Sequence, residues 1–179
     1  MSTKLSMSLL ILVCTVLTLS TSACGRWMIK GTVIDAETEK PIEHAAVSIY
    51  WGKSGSGPPG LAGDVQVEVA EDFTDAEGHF EVPKYSTLLK HYSMAVYKKG
   101  YVCWSSEKIF PTWEERKNFK LKDGMSIKLE RFREQYSREK HARFTLNCSV
   151  NRKMPGLFDE AIKSEIELER RMLRRNRRK

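Results

Sequence analysis

Long apolar runs are scarce in this chain of 179 residues. A membrane-spanning helix needs about 20 consecutive apolar residues, whereas the largely apolar stretch Leu9–Leu19 holds eleven. That length excludes a membrane span and is typical of the apolar part of a secretory signal. One charge, Lys4, precedes the stretch, and four small residues follow it: Ser20, Thr21, Ser22 and Ala23. This order of segments predicts an exported protein that loses residues 1–23 as a signal peptide.

Sequence motifs for metal binding and catalysis are also missing. No histidine has a glutamate three residues after it, and neither a Cys-x-x-Cys nor a His-Glu-x-x-His spacing occurs. Gly52-Lys53-Ser54 is similar to the end of a phosphate-binding loop, but Val47 occupies the position of its first glycine. Gly55-Ser56-Gly57 does not have the Gly-x-Ser-x-Gly spacing of a hydrolase. We therefore predict a protein that is not an enzyme and has no catalytic residue, cofactor or metal ligand.

Cysteine is scarce, with four in the chain, and Cys14 leaves with the signal. An exported protein meets an oxidising compartment, where thiols tend to pair and an odd thiol invites cross-links. If Cys24 is chemically modified, Cys103 and Cys148 are left as a candidate disulfide. Two buried thiols that never meet are the alternative, because a disulfide needs Cα atoms within about 7 Å.

The formal net charge of +7 is confined to the end of the chain. Residues 1–169 are formally neutral, and the last ten residues contain no acid. An exported protein rarely meets nucleic acid, so we expect anionic lipid head groups rather than nucleic acid as electrostatic partners. Stabilisation of a helix C-terminus is the alternative role for this charge. The candidate basic patch comprises Arg170, Arg171, Arg174, Arg175, Arg177, Arg178 and Lys179.

From Trp27 onward, apolar and polar residues alternate in short runs, which is typical of strands. The clearest runs are Ala45–Trp51, Val65–Val69 and Met125–Leu129. Asp123-Gly124 stands between two such runs and predicts a hairpin. About seven strands at this spacing, without helices between them, predict a mainly β fold, an antiparallel β-sandwich.

A glycine- and proline-rich segment, Gly52 to Gly63, interrupts the strand pattern. Loops of this length are uncommon unless they are functional or disordered. We treat it as a candidate binding loop at one end of the sandwich, and a solvated insertion without a role is the alternative. Its candidate residues are Gly52, Lys53, Ser54, Ser56, Pro58 and Pro59.

The pattern becomes helical after Phe132. The stretch 134–147 contains neither glycine nor proline, and Phe158, Ile162 and Ile166 recur at near-helical spacing. We therefore predict a β-sandwich domain over residues 27–132 and a helical extension with a basic tail over residues 133–179.

The run Thr21-Ser22-Ala23-Cys24 resembles a bacterial lipobox, in which the cysteine becomes the lipid-modified first residue, although Thr21 stands where leucine is usual. The resemblance implies lipidation of Cys24, a membrane anchor over residues 24–26, and a place in the bacterial cell envelope. Gly25 after this cysteine is similar to signals that sort lipoproteins to the outer membrane, facing the periplasm. Cleavage by an ordinary signal peptidase, which would release a soluble periplasmic or secreted protein, is the alternative.

Four stretches within residues 29–103 resemble the carboxypeptidase regulatory-like domain, a prealbumin- or transthyretin-like β-sandwich. The family often has glycine where this chain has Glu39 and His44, which suggests altered turns. In metallocarboxypeptidases a separate domain carries the catalytic zinc, so the resemblance implies no enzymatic activity here. The four stretches are residues 31–35, 40–47, 74–80 and 97–101.

Taken together, these features predict a lipid-anchored, non-catalytic envelope module that binds an envelope protein or a polysaccharide, or has a structural role. One alternative is a carbohydrate-binding module, which would need coplanar exposed rings from among Trp51, Tyr92, Tyr97, Tyr101, Trp104 and Trp113. A hydrolase or metal-dependent enzyme with a site dispersed over loops is a further alternative. The side chains available for such a site are His44, His79, His91 and Glu81.

Overall fold

The computed structural model describes residues 27–54, 64–85, 91–148 and 156–176. In these ranges the chain forms nine strands and three helices. The strands are β1 Met28–Asp35, β2 Ala46–Ser54, β3 Asp64–Phe73, β4 His79–Pro83, β5 His91–Tyr97, β6 Trp104–Ser105, β7 Lys108–Ile109, β8 Glu114–Glu115 and β9 Met125–Leu129. The helices are α1 Arg138–Cys148, α2 Leu157–Ala161 and α3 Lys163–Asn176.

Seven of the strands build two sheets with a shared core. One sheet has the order β4-β1-β9 and the other β3-β2-β5-β6, while β7 and β8 form a separate ribbon. Val33 and Ile127 from the first sheet meet Val47 and Met94 from the second in one hydrophobic cluster. The prediction of a mainly β sandwich of about seven strands with a C-terminal helical extension is confirmed.

One strand pairing departs from the antiparallel prediction, because β9 runs parallel to β1. Asp123-Gly124 forms a turn, but residues 116–122 directly before it form no strand, so the predicted hairpin is wrong. The backbone N–H of Lys30 donates to Asp123 Oδ1 at 2.8 Å, and the N–H of Gly124 donates to the Lys30 carbonyl at 2.9 Å. The turn therefore bonds to β1 rather than to the segment before it, and it places β9 at the edge of that sheet.

The four-stranded sheet is covered on both faces. In β5, Met94 and Val96 belong to the sandwich core, whereas Ala95 and Tyr97 belong to a second hydrophobic core. Because neighbouring side chains of a strand point to opposite faces, the second core lies on the outer face of this sheet. The helices cover that face and form a third layer. The other members of the second core are Ala46, Val102, Cys103, Phe110, Phe144, Cys148, Phe158 and Ile162.

A carboxylate from β3 connects the helical layer to the sheet. Glu71 Oε2 accepts the backbone N–H of Leu157, the first residue of α2, at 2.6 Å, and Glu71 Oε1 accepts the Ser48 hydroxyl at 3.1 Å. The first N–H groups of a helix have no partner within the helix, so this contact satisfies one of them. Gly156 makes the approach feasible, since a Cβ at that position would overlap Glu71 Oε2.

A second carboxylate, that of Asp35 at the end of β1, connects three parts of the chain. Its Oδ1 accepts the backbone N–H groups of Glu37 and Thr38 at 2.9 Å each, which closes the turn after β1. Its Oδ2 accepts the Tyr101 hydroxyl at 3.0 Å and Arg131 Nε at 2.7 Å. These hydrogen bonds stabilise the charged form and hold the pKa of Asp35 well below its usual range.

The two positions at which the family often has glycine both have a left-handed backbone. Glu39 and His44 each have φ of 57°, a region that glycine adopts without strain. The His44 ring stacks on Phe73 with centroids 4.3 Å apart, a contact that partly offsets the strain. Both positions thus keep a backbone that favours glycine, although each side chain carries a Cβ.

Replacing Glu39 by glycine should stabilise the fold, because it removes this backbone strain. A left-handed residue with a Cβ costs about 1 kcal/mol relative to glycine. We expect Glu39→Gly to move the urea midpoint upward despite the loss of its exposed ion pair with Lys128. The matched control is Lys40→Gly, one residue further on, which should move the midpoint downward. A lower midpoint for both variants would contradict the prediction.

Candidate functional site

The candidate residues of the leader and the loop lie largely outside the described ranges. Cys24, Ser56, Pro58 and Pro59 fall outside them. Gly52, Lys53 and Ser54 belong to β2 and pair with Gln66, Val65 and Asp64 of β3, so their assignment to a loop is wrong. Gly52 lies against the imidazole of His91, and a Cβ at this position would come within 2.6 Å of that ring.

The described part of the candidate basic patch lies on α3. Arg170, Arg171, Arg174 and Arg175 are exposed, and Arg171 contacts Glu167 at 3.8 Å, one helical turn away. Positive charge at the C-terminal end of a helix is favourable, which is consistent with the structural alternative for these arginines. Arg177, Arg178 and Lys179 lie outside the described residues.

Cys103 and Cys148 are free and buried in the structure. Both belong to the second hydrophobic core. Burial raises the pKa of the Cys103 thiol well above its usual value. A thiol that stays protonated is a poor nucleophile. The structure therefore buries both thiols in the same core, and their disulfide stays a prediction.

The strongest cluster of titratable groups surrounds His141 on α1. Its Nε2 accepts the backbone N–H of Cys103 at 3.0 Å, and its Nδ1 lies 3.8 Å from Glu165 Oε1. The Tyr97 hydroxyl donates to the same Glu165 oxygen at 3.1 Å, and burial raises the pKa of Tyr97. The cluster thus joins β5, the segment before β6, α1 and α3.

Burial lowers the pKa of His141 to about 4, because the charged imidazolium is disfavoured away from water. The Glu165 carboxylate favours the cation, but at 3.8 Å it is too distant for a hydrogen bond. His141 is therefore neutral at pH 7, with Nε2 as the acceptor and the proton on Nδ1.

Cysteine, histidine and glutamate together are the residue types of a nucleophile, a base and an orienting acid. Here the arrangement does not activate the nucleophile. Cys103 offers its backbone N–H rather than its thiol to His141, and its Sγ contacts the Trp104 carbonyl at 3.9 Å. The cluster therefore holds the helical layer against the sheet. Its only sequence signal is His141 on the same helix face as the apolar Phe144 and Cys148.

A metal site from the histidines is not formed either. Among the described residues no group of three or more His, Cys, Asp and Glu side chains could hold a metal ion. His44 stacks on Phe73, and His79 lies 3.6 Å from Asp75 on the surface. No helix in the described part of the chain is long and apolar enough to cross a membrane.

The six aromatic candidates do not build an exposed platform. Trp51 and Tyr97 are buried in the two cores, and Tyr92, Tyr101 and Trp104 are partly buried. Only Trp113 among the six is exposed, at 37%, and its ring packs edge-on against Phe144. The aromatic rings of the sandwich therefore serve mainly as packing groups.

A groove of about 670 Å³ that is lined by several basic residues lies beside β6 and β9. We name it the basic groove. It lies where the edge strands of the two sheets approach each other and where residues 116–122 cross between them. The residues that define it are Trp104, Arg116, Lys117, Lys120, Lys122 and Lys128.

The segment that crosses the basic groove has an inner and an outer side. Phe119 and Leu121 are partly buried against the sandwich core, whereas Lys120 and Lys122 are exposed. The backbone N–H of Leu121 donates to the Tyr92 hydroxyl at 2.9 Å, which fixes the segment to β5. The packing of the two apolar residues therefore holds both lysines at the surface. The signal in the sequence is four basic residues without an acid between Glu115 and Asp123.

Comparison with known proteins places the chain in no family, since no family model and no curated protein matches it. Among solved structures, the C-terminal domain of a shaft pilin from Lactobacillus rhamnosus GG is 16% identical, with a TM-score of 0.33; the match covers 59% of this chain and 98% of that one. A 3-chlorocatechol 1,2-dioxygenase from Rhodococcus opacus 1CP is 18% identical, with a TM-score of 0.32 and 59% of each chain covered.

A streptococcal ancillary pilin is 12% identical, with a TM-score of 0.28, over 59% of this chain and 29% of that one. The match therefore spans less than two thirds of the dioxygenase and of this ancillary pilin. At these values none of the three indicates a function for this chain. The resemblance to the carboxypeptidase regulatory-like domain is carried by its four stretches and not by a family model.

The depressed pKa of His141 predicts a loss of stability in acid. The group is neutral in the folded state down to about pH 4, whereas in the unfolded chain it gains a proton near pH 6.5. The free energy of unfolding should therefore fall by roughly 1–3 kcal/mol from this group as the pH decreases from 6.5 to 4. Urea unfolding at a series of pH values measures the fall.

His141→Gln provides the comparison, because its amide oxygen can accept the Cys103 N–H and does not titrate. Exposed carboxylates titrate in both proteins, so the difference between the two pH profiles isolates His141. Parallel profiles between pH 6.5 and 4 would show that His141 keeps its usual pKa.

Oxidation should join Cys103 to Cys148. Oxidised glutathione accepts the two electrons and the protons released as the S–S bond forms. Without reductant, the oxidised protein should migrate faster on a denaturing gel than the reduced, alkylated protein, and Cys148→Ser should abolish the difference. An unchanged mobility after oxidation would mean that the two thiols stay free.

Proposed function

We propose that this protein is a non-catalytic module of the bacterial cell envelope, anchored by lipid on Cys24 and acting by binding or as a structural element. The observation that carries the proposal is the leader, whose apolar stretch ends in Thr21-Ser22-Ala23-Cys24 directly before the first strand. The alternative of a soluble, secreted protein differs only in how this leader is cleaved.

The short distance between the anchor and the sandwich supports a role close to the membrane. Only three residues separate Cys24 from Met28, where β1 begins. An extended chain spans at most about 3.5 Å per residue, so β1 would begin within about 14 Å of the lipid-bearing cysteine. Trp27 lies within this tether and is 78% exposed, and tryptophan is favoured at the membrane–water interface.

The contacts of the potentially reactive side chains support the proposal that the protein is not catalytic. Cys103, His141 and Glu165 are the best catalytic set by residue type, and their hydrogen bonds serve packing. The hydrolase alternative therefore lacks an activated nucleophile among the described residues. The outer-membrane location follows from Gly25 and belongs to the same proposal.

Lipidation of Cys24 has a direct test. Cells of a bacterial host that are supplied with a labelled fatty acid should label the wild-type chain, and the labelled protein should sediment with the membranes. Cys24→Ala should lose the label, because no thiol is left to carry the lipid. Cys14→Ala is the matched control and should retain the label. A label that survives in Cys24→Ala, or no label on the wild type, would contradict the anchor.

A further inference from the structure

We propose that the basic groove binds an acidic polysaccharide. The proposal rests on the proposed function for one point, namely that the protein meets its ligand in the cell envelope. Binding itself is measured independently of the lipid anchor. The inference depends on three features of the groove: unpaired charge, a concave shape and polar neutral groups between the lysines.

The first feature is a local excess of unpaired positive charge. Within the described part of the chain, the side chains of Lys117, Lys120 and Lys122 form no ion pair or hydrogen bond. Two other lysines of the sandwich illustrate the paired case: Lys30 pairs with Glu81 at 3.2 Å, and Lys128, on the groove's other wall, pairs with Glu39 at 2.7 Å. Like charges that lie close together repel each other, and a bound anion relieves that repulsion.

This excess is not part of a generally basic surface, since residues 1–169 are formally neutral. A cluster of one sign over walls of low polarity concentrates the electrostatic field and attracts counter-ions into the depression. Beneath the lysines the groove includes two apolar rings, since Phe119 packs edge-on against Trp104 with centroids 5.2 Å apart.

The second feature is the shape and firmness of the groove. Arg116 Nε donates to the Ser105 carbonyl at 2.7 Å, and its guanidinium lies 4.8 Å from the centre of the Trp104 ring. This cation–π contact fixes one end of the segment to β6. A groove held between two sheet edges admits a linear chain, whereas a flat membrane surface reaches only its rim.

The third feature is the set of neutral polar groups among the charges. Asn118 and Ser126 are exposed in the groove, and Asn118 is held at φ of 66° in the turn after Arg116. Amide and hydroxyl groups can donate to and accept from sugar hydroxyls, while the ammonium groups pair with carboxylates along the polymer. This combination favours an acidic polysaccharide over an acidic polypeptide, which carries few hydroxyl groups.

The test is a binding titration with the full, processed chain in a neutral detergent, using polygalacturonate as the probe and neutral dextran as the reference. The groove variant is Lys117→Gln/Lys120→Gln/Lys122→Gln. We expect about tenfold or greater loss of affinity for polygalacturonate and a shallower dependence on salt, because three charge contacts are removed. Dextran should bind neither protein.

The matched control is Lys140→Gln/Arg143→Gln/Lys163→Gln, which removes the same charge from exposed positions on α1 and α3. It should keep the wild-type affinity within about twofold, a difference below that expected for a lost contact. Circular dichroism and urea midpoints show whether both variants are folded. Equal losses in the two variants would mean that only net charge matters, and this would overturn the proposal.

Two further probes identify a different partner. Poly-glutamate that binds the groove more tightly than polygalacturonate would overturn the proposal in favour of an acidic polypeptide. If binding to vesicles that contain anionic lipid requires the three lysines and binding to polygalacturonate does not, the proposal would be overturned in favour of a membrane surface. Fatty-acid labelling is independent of these measurements, so a failed anchor with intact polygalacturonate binding would reject the proposed lipidation alone.

Discussion

The hydrogen bonds of the buried Asp35 carboxylate are the interactions on which the packing of the two sheets depends at the end of β1. A charge removed from water is tolerated only when its oxygen atoms are fully paired. Asp35 is 2% exposed, and its partners come from the turn after β1, from Tyr101 beyond β5 and from Arg131 beyond β9. Because these partners follow strands of both sheets, the charge is satisfied only when the two sheets have come together. The same carboxylate thus selects the assembled sandwich over separate sheets.

The helical layer is required because β5 has an apolar outer face that must be covered. Ala95 and Tyr97 present an apolar outer face, and an exposed face of this kind is costly in water. Phe144 of α1 and Phe158 of α2 cover it, and Glu71 fixes the start of α2. The sheet therefore stands between two hydrophobic cores. The imidazole of His141, which enters the second core, is accommodated by the hydrogen bond from the Cys103 N–H rather than by contact with water.

The fold class could be read from the sequence because alternation records which face a residue occupies. Met125, Ile127 and Leu129 alternate with exposed residues, as expected. Alternation does not indicate which strand pairs with which. The parallel pairing of β9 with β1 is accompanied by hydrogen bonds between Lys30 and the Asp123-Gly124 turn. The role of His141 was equally hidden, since its partner is the Cys103 N–H, 38 positions away. The charge of the basic groove was visible in the sequence, but the neutral total over residues 1–169 obscured it.

The position of β1 in its sheet has a mechanical consequence. β1 is the central strand, with β4 antiparallel on one side and β9 parallel on the other. A protein held at its N terminus receives any tension through this strand. Force along β1 loads the hydrogen bonds of both ladders at the same time and in shear, whereas force on an edge hairpin would open its bonds one after another. Under the proposed anchor, any load therefore first reaches a strand that is hydrogen-bonded to a neighbour on both sides.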